Sequence, residues 1–385
     1  MSLQIRILAV LLVGAAAYAA AEPAIVKEEF TFTSSFDGTG PLFATAVFQD
    51  NARNNPVMIV QHGDGGSREN VFFSAERIAA RGYFCVCVST RGWDKSAGAH
   101  DEGGVEIMDI FDGLTAAGKR YGDKVDESDV SIIGYSNGGA NVFFATVRFP
   151  YLFRAAAAFF GIADYGAFVE AARFKDSVIR SIGGTPEQAP DKYTVRNAVL
   201  AAGNLSGTRF HIFHDEEETL SPISMSNKFA EAARNAGYRD IVVHLSGKND
   251  QNRWTHGYNN GHLSPAEDRF LDDLEKRKPP KPIMPPTGDL TVLGFLGTPA
   301  FTAVAGKGDD AAARLNYDLR NGTARFTFTP MTSARNATAR ITLQGVADCD
   351  VAVIVDGKDT AVINKGAKLQ AQATISSKIE FREKK

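Results

Sequence analysis

Apolar and polar positions along the chain follow two regimes that meet at a proline-rich stretch. Ahead of it, short unbroken apolar runs alternate with segments of helical spacing. The runs are "PVMIVQHG", "YFCVCVST", "DVSIIGYS", "FRAAAAFFG", "TRFHIFH" and "DIVVHLS". Between them lie segments such as Val71 to Arg81, Glu106 to Tyr121 and "NVFFATVRF"; in the second, Ile107, Ile110, Leu114 and Ala117 recur at helical intervals. A strand that is apolar throughout has no face left for water. Strands of that kind separated by helices predict a mostly parallel sheet covered on both sides, an α/β domain. Phe30 to Asp50 reads as a hairpin turning at Asp37-Gly38. From about 164 to 206 the alternation lapses into "YGAFVEAARF" and "YTVRNAVLAA", with Gly183-Gly184 between them. This helical insertion is expected over the sheet's edge, as a lid or pocket wall.

"KPPKPIMPPT", residues 278–287, holds five prolines in ten positions and predicts a stiff linker. Beyond it, "ARFTFTP", "ARITLQGV", "VAVIVDG" and "AQATISSKIEF" alternate at period two, with Asn321-Gly322 and Asp356-Gly357 as turns. The expected domains are therefore 22–277, α/β, and 288–385, an all-β sandwich-like unit. The β unit has few aromatics and no tryptophan for stacking on sugars, which favours an accessory role.

Residues 1–21 have a positive start at Arg6, an apolar run from Ile7 to Val13, and alanines ending near Ala21. This is the pattern of a cleaved signal peptide, so the mature protein is expected to be secreted or periplasmic, with no stable membrane span. The net charge of −3 excludes a broad pull toward nucleic acid. The three cysteines do not make a disulfide framework. Cys85 and Cys87 fall on one face of one strand, and Cys349 is remote. Asn204, Asn321 and Asn336 head glycosylation-type triplets. No Cys/His cluster has metal-ligand spacing and no phosphate loop is present, so no metal or cofactor is expected.

The candidate chemistry centres on "IIGYSNGGAN". Gly134-Tyr135-Ser136-Asn137-Gly138 ends a strand and opens a helix, the context of a nucleophile elbow. Its turn would hold Ser136 in strained geometry with the hydroxyl thrown clear of the sheet. A serine needs a base, and in this arrangement the order along the chain is serine, acid, histidine. His211 and His244 lie within strands. His256 and His262 share the loop "RWTHGYNNGHLSPAE" before the last helix. His262 is favoured because Ser264-Pro265-Ala266-Glu267 looks like a capping box that would fix it at a rigid helix start. The acid comes from "FHDEEETLSP", where Asp215, Glu216, Glu217 and Glu218 compete; Glu218 lies nearest the following helix. Backbone amides of Asn137 and of Asp64 (or Gly65), in "QHGDGG", are the expected oxyanion donors. His62 should brace that loop. Tyr135, Trp93 and His256 are further pocket candidates, with Arg91, Asp94 and Lys95 near Trp93 expected to pair among themselves.

"RGWDKSAG" and the stretch from "DIFDGLTAAGKRYG" through the elbow to "FFGIAD" resemble the catalytic domain of prolyl-oligopeptidase-like serine hydrolases. The resemblance continues through His214, the acid four residues later, Pro222 and Gly261-His262, and covers most of 56–276. It implies an α/β-hydrolase fold and acyl-enzyme chemistry. Two departures stand out. Such relatives usually have His-Gly ahead of an aspartate, where this chain has Asp215 and Glu218, adding about 1.5 Å of reach. Peptidases of this family also place a large β-propeller ahead of the catalytic domain, and this sequence has a hairpin there. The expected function is a secreted serine hydrolase acting on a small ester, or on a peptide or carbohydrate-linked substrate. The alternatives are an exo-acting peptidase and a non-catalytic binding protein on a hydrolase fold.

Overall fold

The computed structural model describes residues 23–171, 175–251, 253–256 and 262–383. The leader expected at 1–21 lies outside the described residues. Eight strands build the first sheet: β1 (Ile25–Phe32), β2 (Leu42–Gln49), β3 (Asn55–Gln61), β4 (Phe84–Val88), β5 (Val125–Tyr135), β6 (Phe153–Phe159), β7 (Arg209–Asp215) and β8 (Ile241–Ser246). Their order across the sheet is β1-β2-β4-β3-β5-β6-β7-β8. The β1–β2 and β2–β4 pairs are antiparallel, and every pair from β4 to β8 is parallel. The continuous apolar runs are the central strands, and β4 is buried along its whole length. Cys85 and Cys87 share one face of β4 as buried free thiols.

Helices cover both faces: α1 (Phe72–Ala80), α2 (Glu106–Tyr121), α3 (Asn137–Arg148), α4 (Tyr165–Ala171), α5 (Lys175–Ile182), α6 (Pro190–Val195), α7 (Ile223–Asn235) and α8 (Ser264–Arg277). One core lies against α2, α3 and α7 and the other against α1 and α8. The insertion consists of α4 to α6 and a 3₁₀ segment, Ala198–Asn204. It connects β6 to β7, neighbours inside the sheet, whose edge strands are β1 and β8.

After the proline-rich stretch, ten strands between Thr287 and Glu383 form one continuous, all-antiparallel sheet around a core of its own. Asn204 joins it to the first unit. Its buried amide donates to the carbonyls of Val147 and Thr291 and accepts from the Thr291 amide. That burial leaves no room for a glycan on Asn204, whereas Asn321 and Asn336 are exposed. Arg148 lies 4.8 Å over the Phe295 ring across the same junction.

Candidate active site

Ser136 stands where the periodicity changes from strand to helix. Its φ of 57° is in the left-handed region, which a residue bearing a side chain adopts only under constraint. The constraint is close packing. A side chain on Gly134 would strike the Gly138 carbonyl, and one on Gly138 would strike the carbonyls of Gln61 and His62. The missing side chains let the loop after β3 lie against the elbow. From Val130 to Pro150, Ser136 is the single residue that is not buried, so the turn delivers its hydroxyl outward.

His256 meets it. Its Nε2 lies 2.8 Å from Ser136 Oγ, and its Nδ1 lies 3.2 Å from Glu218 Oε2. With Nδ1–H donating to the carboxylate, Nε2 presents a lone pair to the serine hydroxyl. The ring stacks on Phe160 at 5.2 Å between centroids. The Glu218 side chain is buried, and its Oε1 accepts from the amides of Leu220 and Ser221. Burial alone would raise its pKa, but His256 and those amides outweigh burial and hold it below the ordinary glutamate value.

The base favoured from sequence is therefore not the one the fold delivers. His262 Nε2 lies 2.9 Å from the Thr255 carbonyl, within its own loop. The capping box meant to fix it does not form. Leu263 occupies the cap of α8 without a side-chain bond, and Glu267 is drawn inward to Ser74, Arg77 and Tyr135. His256 is positioned from behind instead. Trp254 Nε1 donates to the His214 carbonyl at 3.2 Å, and Arg253 grips Asp215. Arg253 and Trp254, three and two residues ahead of the histidine, were the available signal. An arginine beside an acidic loop and a buried tryptophan both anchor the segment.

The remaining candidates separate. Asn137 opens α3, and its side chain donates to Glu102 (3.0 Å) and to Tyr165 of the insertion (2.9 Å). Asp64 belongs to the loop that packs on Gly138. His62 braces that loop, with Nδ1 2.8 Å from the Gly63 carbonyl and Nε2 accepting from the Thr90 amide at 3.1 Å; it is buried. Trp93 lies against Gly65, with its ring edge-on to His100. Tyr135 is a correction. Strand alternation turns it away from Ser136 into the core, where its hydroxyl donates to Glu267 at 2.7 Å. Arg91, Asp94 and Lys95 do not pair with one another. They bind Asp109 and Asp37, Arg68, and Glu29 respectively. Asp215, one of the competing acids, is committed to Arg253, which with Ser246 and the Glu217 amide holds it at about 2.

Sequence reasoning passed over Glu102 and Tyr165, which touch Asn137, and His100, which meets Glu102. Burial works against a charged His100, yet Glu106 and Glu102 overcome it and raise the ring to about 11. A cavity of about 690 Å³ lies elsewhere, between the two domains, against Phe36, Met108, Phe149, Phe295 and Arg340.

A family model for the prolyl oligopeptidase family matches residues 70–272. The chain belongs to that family. It has an α/β-hydrolase fold and a C-terminal antiparallel β domain, and its family is one of serine hydrolases. Among solved structures, acylaminoacyl peptidase of Pyrococcus horikoshii is similar with a TM-score of 0.55 and 17% identity, over 68% of this chain and 43% of that one. A puromycin hydrolase gives 0.53 and 17%, over 64% and 38%. Dipeptidyl peptidase 4 of Porphyromonas gingivalis gives 0.51 and 22%, over 64% and 35%. The chain thus spans less than half the length of these relatives, and at such identities the likeness is one of fold. No curated protein matches the chain.

Proposed function

We propose that this prolyl oligopeptidase family member hydrolyses acyl bonds through Ser136, His256 and Glu218. The carrying observation is the unbroken relay from Ser136 Oγ to His256 Nε2 at 2.8 Å and from Nδ1 to Glu218 at 3.2 Å. Ser136 Oγ attacks the substrate carbonyl carbon as its proton passes to Nε2. Glu218 holds the ring in the tautomer that can accept and stabilises the imidazolium that results. The carbonyl oxygen gathers negative charge, which the amides of Asn137 and Asp64 receive; each such donor contributes about 3 kcal/mol to the transition state. The imidazolium then protonates the leaving group, the acyl-enzyme forms, and water repeats the sequence in reverse.

Peptide amides come first among substrates, because the family and the similar structures are mostly peptidases. Carboxylic esters follow by the same steps with a better leaving group. The pattern of residues 1–21 supports export to the periplasm or beyond. The organisation into a catalytic unit at 22–277, a linker at 278–287 and an accessory β unit is part of the same proposal.

Fluorophosphonate labelling followed by peptide mapping tests the reading. Label on Ser136 is expected, and active protein that leaves Ser136 unmodified would overturn it. A panel of peptide amides, acyl esters and acetylated sugars then ranks the substrates.

A further inference from the structure

Beside Asn137, outside the relay, three ligand-type atoms converge. His100 Nε2 lies 3.1 Å from Glu102 Oε2 and 3.8 Å from Asp64 Oδ1, and all three atoms fall within 4.8 Å of one another. His100 and Glu102 are deeply buried, with side chains 8% and 3% exposed. Asp64 is 47% exposed, so the cluster opens to solvent on its side. The other ring nitrogen of His100 is occupied, with Nδ1 2.6 Å from Glu106 Oε2. That contact fixes the ring so that Nε2 faces the two carboxylates. Nε2 meets the Glu102 carboxylate at 3.1 Å as an ion-pair contact without the alignment of a hydrogen bond. A buried ring nitrogen so poorly matched to its neighbour has capacity for a better-placed partner.

The surroundings are rigid. Glu102 has a φ of 55°, unfavourable for a side chain of its length, and is held there by Asn137, which donates to Oε2 at 3.0 Å. The Gly103 amide donates to Glu106 Oε1 at 2.7 Å, and Asp101 accepts from the Val105 amide at 2.6 Å. Arg196, 3.7 Å from Asp101, balances that acid.

Separation decides what fits between them. Ligands about 2.1 Å from a metal lie roughly 3.0–3.4 Å apart in octahedral or tetrahedral arrangements. Acceptors around an ammonium, each at about 2.8 Å, lie near 4.6 Å apart. The 3.1 Å pair lies in the metal range and the 3.8 Å pair to half-exposed Asp64 lies between the two, so drawing Asp64 inward by a few tenths of an ångström completes the set. One imidazole with two carboxylates suits a borderline ion over Mg²⁺ or Ca²⁺, which favour oxygen alone. A histidine whose second nitrogen meets a carboxylate is the usual outer support of such a ligand. We propose that Asp64, His100 and Glu102 bind one divalent cation of the Zn²⁺ type, more tightly than Mn²⁺, with Glu106 orienting the imidazole. Asp64 belongs to the loop packed on the elbow, so the ion ties that loop to the segment holding Glu102.

The test uses the full chain, stripped with chelator and titrated with ZnCl₂, and separately MnCl₂, in a calorimeter. A proton competes with the ion for Nε2, and Glu102 and Glu106 favour that proton, so the titration is repeated from pH 7 to pH 9.5 and binding should tighten as pH rises. One ion per chain at micromolar concentrations is expected, together with a raised melting temperature. Glu102→Gln and His100→Gln should abolish this binding, and Glu106→Gln should weaken it by about 10–100-fold. Circular dichroism checks that each variant folds, and the near-isosteric Glu102→Gln carries the test if His100→Gln does not. Because binding is read directly, Ser136→Ala protein serves equally, and the result is independent of the catalytic assignment. No binding at submillimolar metal, or binding unchanged in Glu102→Gln, would overturn the site. So would binding lost only in His211→Gln, which would move the ion to the His211–His244 pair.

Discussion

Nε2 of His256 stands 2.8 Å from Oγ of Ser136, although 120 positions separate them along the chain. The contact ranks the two histidines of the last loop. Replacing His256 with alanine is expected to lower turnover by about 10⁶, as removal of a triad base does, and Ser136→Ala should do the same. His262→Ala should leave turnover near the parent value. Steady-state kinetics on a p-nitrophenyl ester, with circular dichroism as a folding control, compares the three. The reverse ranking would return the role to His262.

Glu218 acts through the ring it faces. Glu218→Gln keeps the shape but offers an amide to Nδ1, which favours the wrong tautomer. A drop in kcat of about 10⁴ with KM little changed is expected. Glu216 provides the contrast: it is exposed and its glutamine variant should keep full turnover. Equal losses in both would mean that the acidic loop acts through its field and not through one carboxylate.

Gly138 tests how the elbow is held. A methyl group there meets two carbonyl oxygens of the loop after β3, and backbone has little freedom to retreat. Gly138→Ala should therefore lose about 1–3 kcal/mol of stability by overpacking. It should also lose activity well below its melting temperature, because the loop carrying Asp64 is pushed off the elbow. Thermal melts with labelling at low temperature separate the two effects. Full labelling in the variant would count against close packing as the cause.

What the sequence disclosed follows from the range of the forces involved. Apolar runs and helical spacing are local, so the parallel sheet, the elbow and the β unit could be read from "PVMIVQHG", "GYSNGG" and "ARFTFTP". Glu218 could be read from its distance to the helix start. The choice between His256 and His262 turned on contacts across the fold. A local capping signal pointed to His262, but Tyr135, 132 positions from Glu267, claimed the carboxylate on which that signal depended. The cluster of Asp64, His100 and Glu102 was hidden for the same reason. Its members come from two loops, and no spacing along the chain announces them.

Arg253 links the histidine loop to the acid loop, and its pairing with Asp215 gives a pH-dependent test. Asp215 is held at about 2, below its ordinary 3.8, first by Arg253 and then by Ser246 and the Glu217 amide. A depressed carboxylate contributes stability that is fully present above its unfolded pKa and is lost as pH falls through its folded pKa. The wild-type advantage over Arg253→Met should thus be constant above about pH 5 and shrink between about pH 4 and pH 2. In the variant, Asp215 should titrate in or above the ordinary carboxylate range, which carbon-detected NMR reads directly. Freed from this anchor, the segment carrying His256 should drift, and kcat at neutral pH should fall by up to about a hundredfold with KM little changed. Unchanged kcat with a shifted Asp215 would mean that Trp254, through its bond to the His214 carbonyl, is enough to place the imidazole.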